Sequence, residues 1–432
     1  MAATAPTGAV DWRLRMSARI LWVFIAAWVA VSCGAAETRL TFSGSAVGAE
    51  GEVIRKQLAR FADLHPEMRV EVRVTPDAAD QRHQLYVQWL NARVPEPDVL
   101  QLDIIWTAEF AAAGWLLPLQ RLDEAGDFFP ALVRANRWQE DLYAAPWFVD
   151  AGLIYWRTDL FDRPPASLEE LRLNALAAMR SGRVRDGFVW QGARYEGLVT
   201  VFLEHLAAFG GGVLDTQGRV IVDRGEAVRA LTFMRDSIRT DGVVPASVLA
   251  WQEEHTRFAF QSGQAAFMRN WPYAWTLLAR REESQVAGRV SVIPFPAARG
   301  GHESATLGGA QLAINRYTTE PALAAALIEF LIAPAQMLER ARMAGQLPAR
   351  RSLYQDPALA QALSMPLPEV LRALDAAVPR PVTPVYTELS EVLQVHVHRA
   401  LTAQEEPDMA LHAAAIEIRA ILERTHLGAP QP

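Results

Sequence analysis

Between Arg39 and Ile105 five strand and helix signals alternate, and few architectures accept that order. Arg39-Leu40-Thr41-Phe42 reads as a first strand, followed by a turn-rich loop with Gly44, Ser45, Gly48 and Gly51. Val53, Ile54, Leu58, Phe61 and Leu64 then recur at three- and four-residue spacing, which marks one apolar helix face, and Pro66 closes that helix. Val70, Val72 and Val74 alternate with charged residues as a second strand. A second helix is expected over 83–92, with Leu85, Trp89 and Leu90 on it. Asp98-Val99-Leu100-Gln101-Leu102-Asp103-Ile104-Ile105 is a nearly continuous apolar strand, suited to a sheet covered on both faces. This is the βαβ order of a parallel α/β sheet, and in such sheets ligands bind beyond the carboxyl ends of the strands. That rule selects the loop after the first strand and Asp103 at the end of the third.

The remainder needs a second region. The chain has 432 residues, more than one ordinary core accommodates, and 51% of them are hydrophobic, which excludes a disordered chain. From Pro146 to Trp156 an extended segment is expected to carry the chain into a second domain. That domain reads as largely helical, with helices near 167–180, 196–209, 224–240, 254–261 and 272–281. Asp215-Thr216-Gln217-Gly218 reads as a small hairpin turn. Strand patterns return at Val290–Ile293 and Leu312–Ile314, and helices follow to the end, interrupted near 344–350 and 379–384.

The first 36 residues read as an export signal. Arg13, Arg15 and Arg19 precede a twelve-residue apolar run, Ile20 to Val31, too short to span a bilayer comfortably, and Gly34-Ala35-Ala36 supplies small residues for cleavage. A signal anchor is the competing reading. Met16 is an alternative start, and Cys33 occupies a position suited to lipid attachment, although Ala30 stands where such sites usually have Leu. Cys33 is also the only cysteine, so neither an intrachain disulfide nor a cysteine-rich metal site is possible. The formal charge is −7; the first 36 residues carry three arginines against Asp11, so the remainder carries −9. An acidic surface argues against nucleic acid as a partner.

No serine-hydrolase, phosphate-loop, dinucleotide or zinc-protease motif is present. His396 and His398, two apart on an expected helix, point to different faces and do not suggest a metal site. Asp103 and Asp150 each follow an apolar run, which sets a carboxylate at an element end, where it can accept from hydroxyl groups or act as an ordinary helix N-cap. Trp106, Trp147, Trp271, Tyr273 and Trp275 offer flat apolar faces of the kind sugars stack on; core packing is the alternative for each. Arg269-Asn270-Trp271-Pro272-Tyr273 reads as a loop leading into a helix. Gly308 and Gly309 form a turn that lets backbone amides approach a ligand, or a plain turn.

Several segments together resemble the extracellular solute-binding proteins of carbohydrate ABC importers, the family that contains maltose-binding protein, and its trehalose/maltose branch in particular. They are Asp98 to Trp106 with Glu109-Phe110, Gly114-Trp115-Leu116, Pro146 to Tyr155, Phe260 to Ala274, Leu307-Gly308-Gly309, and Arg380 to Tyr386. The resemblance implies a two-lobed periplasmic-binding-protein fold of the α/β class, with parallel-sheet lobes joined by a hinge and the ligand in the interlobe cleft. It implies an N-terminal lobe of 37–148 plus 302–350 and a C-terminal lobe of 149–301 plus 351–432. The implied ligand contacts are Asp103 and Asp150 to sugar hydroxyls, Trp271 and Tyr273 as stacking rings, Gly308 and Gly309 through backbone, and Arg380 through its donors. Ser45 and Glu50 match the family's first ligand loop in position. The implied function is capture of an α-glucosidic disaccharide without catalysis, by a monomer on the periplasmic or extracellular side, needing no cofactor or metal, with membrane permease subunits as partners. Ala310 departs from the branch, which usually has tryptophan there. A same-fold binder of a larger oligosaccharide, a polyol derivative or a polyamine is an alternative. A glycoside-acting enzyme using Asp103 and Asp150 is another.

Overall fold

In the computed structural model, residues 38–119 and 126–425 are described, so the expected export signal and Cys33 lie outside the described residues. The first sheet begins as the sequence pattern requires. β1 (Thr38–Gly44), β2 (Met68–Val74) and β3 (Val99–Asp103) pair in parallel, with the helices Glu50–Leu64 and Ala79–Asn91 as crossovers. Val99, Leu100 and Leu102 are fully buried because β3 is central, whereas β2 lies at the edge and half of it faces solvent. β4 (Leu116–Leu117) follows, then a small hairpin of β5 (Arg137–Trp138) and β6 (Asp141–Leu142), and then the long strand β7 (Ala144–Ala151).

A single residue, Gly152, separates β7 from β8 (Leu153–Arg157), which opens a second sheet with β9 (Asp186–Val189), β10 (Ala265–Asn270) and β11 (Val290–Ile293). The chain then returns to the first sheet as β12 (Ala305–Asn315), β13 (Leu347–Pro348) and β14 (Ala377–Val378). The strand order is β13-β7-β12-β3-β1-β2 in the larger sheet, where β4 and β14 also pair with β12, and β11-β8-β10-β9 in the smaller. Parallel pairing holds for β2-β1-β3 and β9-β10, whereas β12 runs antiparallel to both β3 and β7, and β8 antiparallel to β10 and β11.

The second region keeps the expected helices, Leu168–Arg180, Glu196–Ala208, Gly225–Arg239, Glu253–Gln261 and Ala274–Leu278. The first is capped by the Ser167 hydroxyl, which accepts the Glu170 amide at 3.1 Å. The region also has a sheet that a largely helical reading omits. β10 is buried along its whole length and therefore shows no alternation to identify it. Arg269 and Asn270 end this strand rather than sitting in a loop. Gly308 and Gly309 likewise lie inside β12, not in a turn before it, with a register shift after Ala310. The last two long helices, Tyr386–Leu401 and Pro407–Arg424, pack on Glu196–Ala208 and Gly225–Arg239. Leu367–Asp375 touches β7, β11 and β12 and so bridges the two sheets.

The crossing at Gly152 depends on close approach. A Cβ there would lie 1.8 Å from Glu204 Oε1 and 2.6 Å from Arg269 Nη2, both fully buried. A methyl group at this point has to displace a dehydrated ion pair. Gly152→Ala is therefore expected to destabilise the fold by about 3 kcal/mol or more; denaturant unfolding that gives a change below about 1 kcal/mol would show that the crossing adapts.

Candidate functional site

A cleft of about 290 Å³ lies between the sheets, at the low end of the roughly 300–1,000 Å³ typical of ligand pockets. All nine residues singled out in the sequence line it: Ser45, Glu50, Asp103, Asp150, Trp271, Tyr273, Gly308, Gly309 and Arg380. Trp106 and Trp147 do not, being buried in the cores, and neither does Trp275.

The first-sheet wall starts where β1 ends. The Ser45 amide donates to Gln101 Oε1 at 2.9 Å, and the Ser45 hydroxyl donates to Glu50. Gln101 and Gln346 each donate to Glu50 Oε1 at 3.0 Å. Glu50 is thus a saturated acceptor that locks the loop between β1 and its helix. Gly48, in that loop and at φ +60°, lets the backbone pass against the opposite wall: a Cβ there would stand 2.9 Å from the Tyr273 ring. Tyr273 is held in turn by its hydroxyl, which donates to Glu254 at 2.8 Å.

Arg380 ties the two sides of the cleft together. Its Nη2 donates to Asp103 Oδ1 at 2.9 Å and its Nη1 to Glu196 Oε1 at 2.8 Å. Glu196 begins the helix Glu196–Ala208, and it also accepts from the Tyr386 hydroxyl at 2.8 Å and from Ser390. Burial pushes the Glu196 carboxyl up, and Arg380 works against that. Asp103 is therefore an ion-pair partner and not the free acceptor its position in sequence suggests. Arg380 is only 5% exposed, and two of its nitrogens are already bonded within the protein.

Asp150 behaves differently. No hydrogen bond from the described residues reaches its carboxylate. Burial, and then the charges of Glu50 and Asp103, push its carboxyl up to about 7. It stands on β7 opposite Gly308, whose missing side chain also makes room for Trp271: a Cβ at Gly308 would be 3.1 Å from that indole and 3.3 Å from the Asp150 Cβ. Trp271 lies over the Arg269 guanidinium at 4.0 Å. Gly309, at φ +119°, has no room for a side chain beside the Phe148 carbonyl. The visible use of the paired glycines is thus clearance for an aromatic wall and for a strand. Ala310 pairs with Phe148, and both line the cleft, so a phenyl ring faces the position where a tryptophan was expected.

Sequence reasoning missed Arg82, Phe148, Tyr195, Glu196 and Glu253, which also line the cleft. Glu196 and Glu253 open helices; acidic residues at a helix start beside a strand end were the available signal. No group of three or more metal-ligating side chains occurs among the described residues.

Comparisons with known proteins identify a family and a fold. The model for bacterial extracellular solute-binding proteins matches residues 45–338. A probable ABC transporter-binding protein of Deinococcus radiodurans is 34% identical over 388 residues, covering 86% of this chain and 91% of that protein. The structure of maltose-bound MalE3 of T. maritima aligns with a TM-score of 0.86 and 43% identity, over 89% of this chain and 100% of the other. A solute-binding protein of Thermotoga lettingae bound with alpha-D-tagatose has a TM-score of 0.80 at 24% identity, over 89% and 100%, and shares the fold.

The raised Asp150 carboxyl has a definite consequence for stability. Its unfolded value is about 3.9, so the folded protein holds an extra proton between about 4 and about 7. Stability contributed at this site falls as pH rises through that window, and the loss is complete above it. Asp150→Asn is expected to raise the melting temperature of the ligand-free protein at pH 8 and to change it little at pH 4. Equal shifts at the two pH values would contradict the assignment.

Proposed function

The chain belongs to the family of bacterial extracellular solute-binding proteins, and we propose that it captures an α-glucosidic disaccharide of the maltose or trehalose type for an ABC importer. One observation carries this reading: Asp150, a carboxylate without a donor among the described residues, faces a cleft of disaccharide scale that Trp271 also lines. Hydroxyl groups of a sugar supply the donors Asp150 lacks, and the apolar face of the ring suits the indole. Glu50, held by Ser45, Gln101 and Gln346, shapes the cleft, and Asp103 and Arg380, bonded to each other, present their remaining acceptor and donor atoms. The 43% identity to maltose-bound MalE3 supports a disaccharide over a polyol. Ala310, facing Phe148, leaves the choice between maltose and trehalose to experiment.

In this reading the two sheets are the cores of two lobes that divide at Gly152, between β11 and β12, and after β14, which pairs with β12 and so puts the last division beyond 378 and not at the expected 350/351. Ligand bridges them, favours the closed form, and the closed form delivers the sugar to permease subunits. The family's extracellular setting agrees with the export segment expected at 1–36. One feature suits a glycoside-acting enzyme instead: Asp150 is pushed up to about 7 while Asp103 is ion-paired, the divergence expected of an acid and its partner base. Release of glucose from maltose on incubation with the protein would establish that second reading.

Thermal shifts with maltose, trehalose, mannitol, tagatose and spermidine are expected to be largest for one of the two disaccharides. Trp271→Ala is expected to weaken that sugar about fivefold or more, the loss of a stacked ring being about 1 kcal/mol or greater, with the ligand-free melting temperature little changed. Unchanged affinity would remove Trp271 from the binding surface.

A further inference from the structure

Arg340 lies behind the cleft, not in its lining. It belongs to the helix Pro334–Ala344 and is 1% exposed. Its guanidinium sits 3.6 Å from the centre of the Trp147 ring and 5.6 Å from that of Phe148. Its one polar contact is long, 3.5 Å from Nη2 to Glu50 Oε1, and its Nε and Nη1 have no partner among the described residues. A buried cation so thinly bonded is a poor stabilising device, and an apolar side chain of the same length would fill the space at least as well.

What the cation does is visible in its neighbour. Glu50 accepts from Ser45, Gln101 and Gln346, so three donors converge on one buried carboxylate. The bond from Ser45 fixes the loop that brings Gly48 against Tyr273 on the opposite wall. The charges around Arg340 are Glu50, Glu339 and Asp150, all acidic, so it is the positive member of an otherwise repulsive group.

We infer that Arg340 is a positioning residue for the ligand: its charge balances the buried Glu50 carboxylate 3.5 Å away, and Glu50 holds the Ser45–Gly48 loop in the shape that brings it against Tyr273. This rests on the proposed sugar-binding role of the cleft. Burial lowers the Arg340 guanidinium to about 10, which leaves it charged throughout the physiological range.

The test compares three variants by titration calorimetry with maltose and trehalose. Arg340→Lys, which keeps the charge, is expected to bind within about threefold of the unaltered protein. Arg340→Met, similar in length but neutral, is expected to lose about tenfold or more. Adding Glu50→Gln to Arg340→Met is expected to recover part of that loss, because no uncompensated charge remains. Equal losses in the Lys and Met variants, or a double variant no tighter than Arg340→Met, would overturn the inference. Should Arg340→Met fail to fold, recovery of folding in the double variant is the same suppression read as stability, and failure of both overturns it. Absence of sugar binding by the unaltered protein would instead defeat the proposed function, and this inference with it.

Discussion

Arg269 and Glu204 form a two-pronged ion pair with no access to solvent, 2.7 Å from Nε to Oε2 and 2.5 Å from Nη2 to Oε1, at the place where the chain changes sheets. Such a pair is costly to bury and costlier to break, about 3–5 kcal/mol when one partner is removed. Its cost is offset by the number of bonds that converge on it. Gln191 accepts from Arg269 Nη1 at 3.1 Å, the Thr306 amide donates to Glu204 at 3.2 Å, and Ser304 donates to the Glu204 carbonyl at 2.9 Å. Gly152 at the outgoing crossing packs against the same carboxylate that Thr306 on the returning strand donates to. The same guanidinium supports Trp271 from behind, so the hinge and the aromatic wall share a foundation.

The polar groups of the cleft are mostly spent on each other. Glu50 is taken by Ser45, Gln101 and Gln346, Asp103 by Arg380, Glu196 by Arg380, Tyr386 and Ser390, and Glu254 by Tyr273. Side chains held this way lose little freedom when a ligand arrives, which is the advantage of preorganisation. Asp150 is the exception, and burying it without a donor lowers stability at neutral pH in exchange for a vacant acceptor.

The parts legible in sequence were those with local signals. The alternation from Arg39 to Ile105 located β1, β2, β3 and both crossover helices, because each element carries its own period. Helix starts such as Ser167 were equally local. β10 was hidden because a strand buried on both faces has no alternation, and its Arg269 reads as a loop residue until Glu204, 65 positions earlier, is brought beside it. Asp103 and Arg380 were both recognisable as cleft residues, but their mutual bond was not, since only the fold brings position 380 back to the end of β3. The glycines at 308 and 309 read as a turn that brings backbone amides to a ligand, whereas they lie inside β12 and clear an indole and a carbonyl, neighbours that only the fold supplies.

The placement of β12 has a consequence for how the chain comes to be folded at all. The larger sheet has its centre filled by a strand that follows the whole of the smaller sheet in sequence, with Asp103 pairing Ala310 and Val149 pairing Gly309. Until residues 305–315 have been synthesised, β3 and β7 lack the neighbour that joins them, and the backbone groups along their facing edges remain open. Contacts of such long sequence separation form slowly. A chain built this way stays incompletely folded through most of its synthesis, and its two sheets are joined late, when the returning strand arrives.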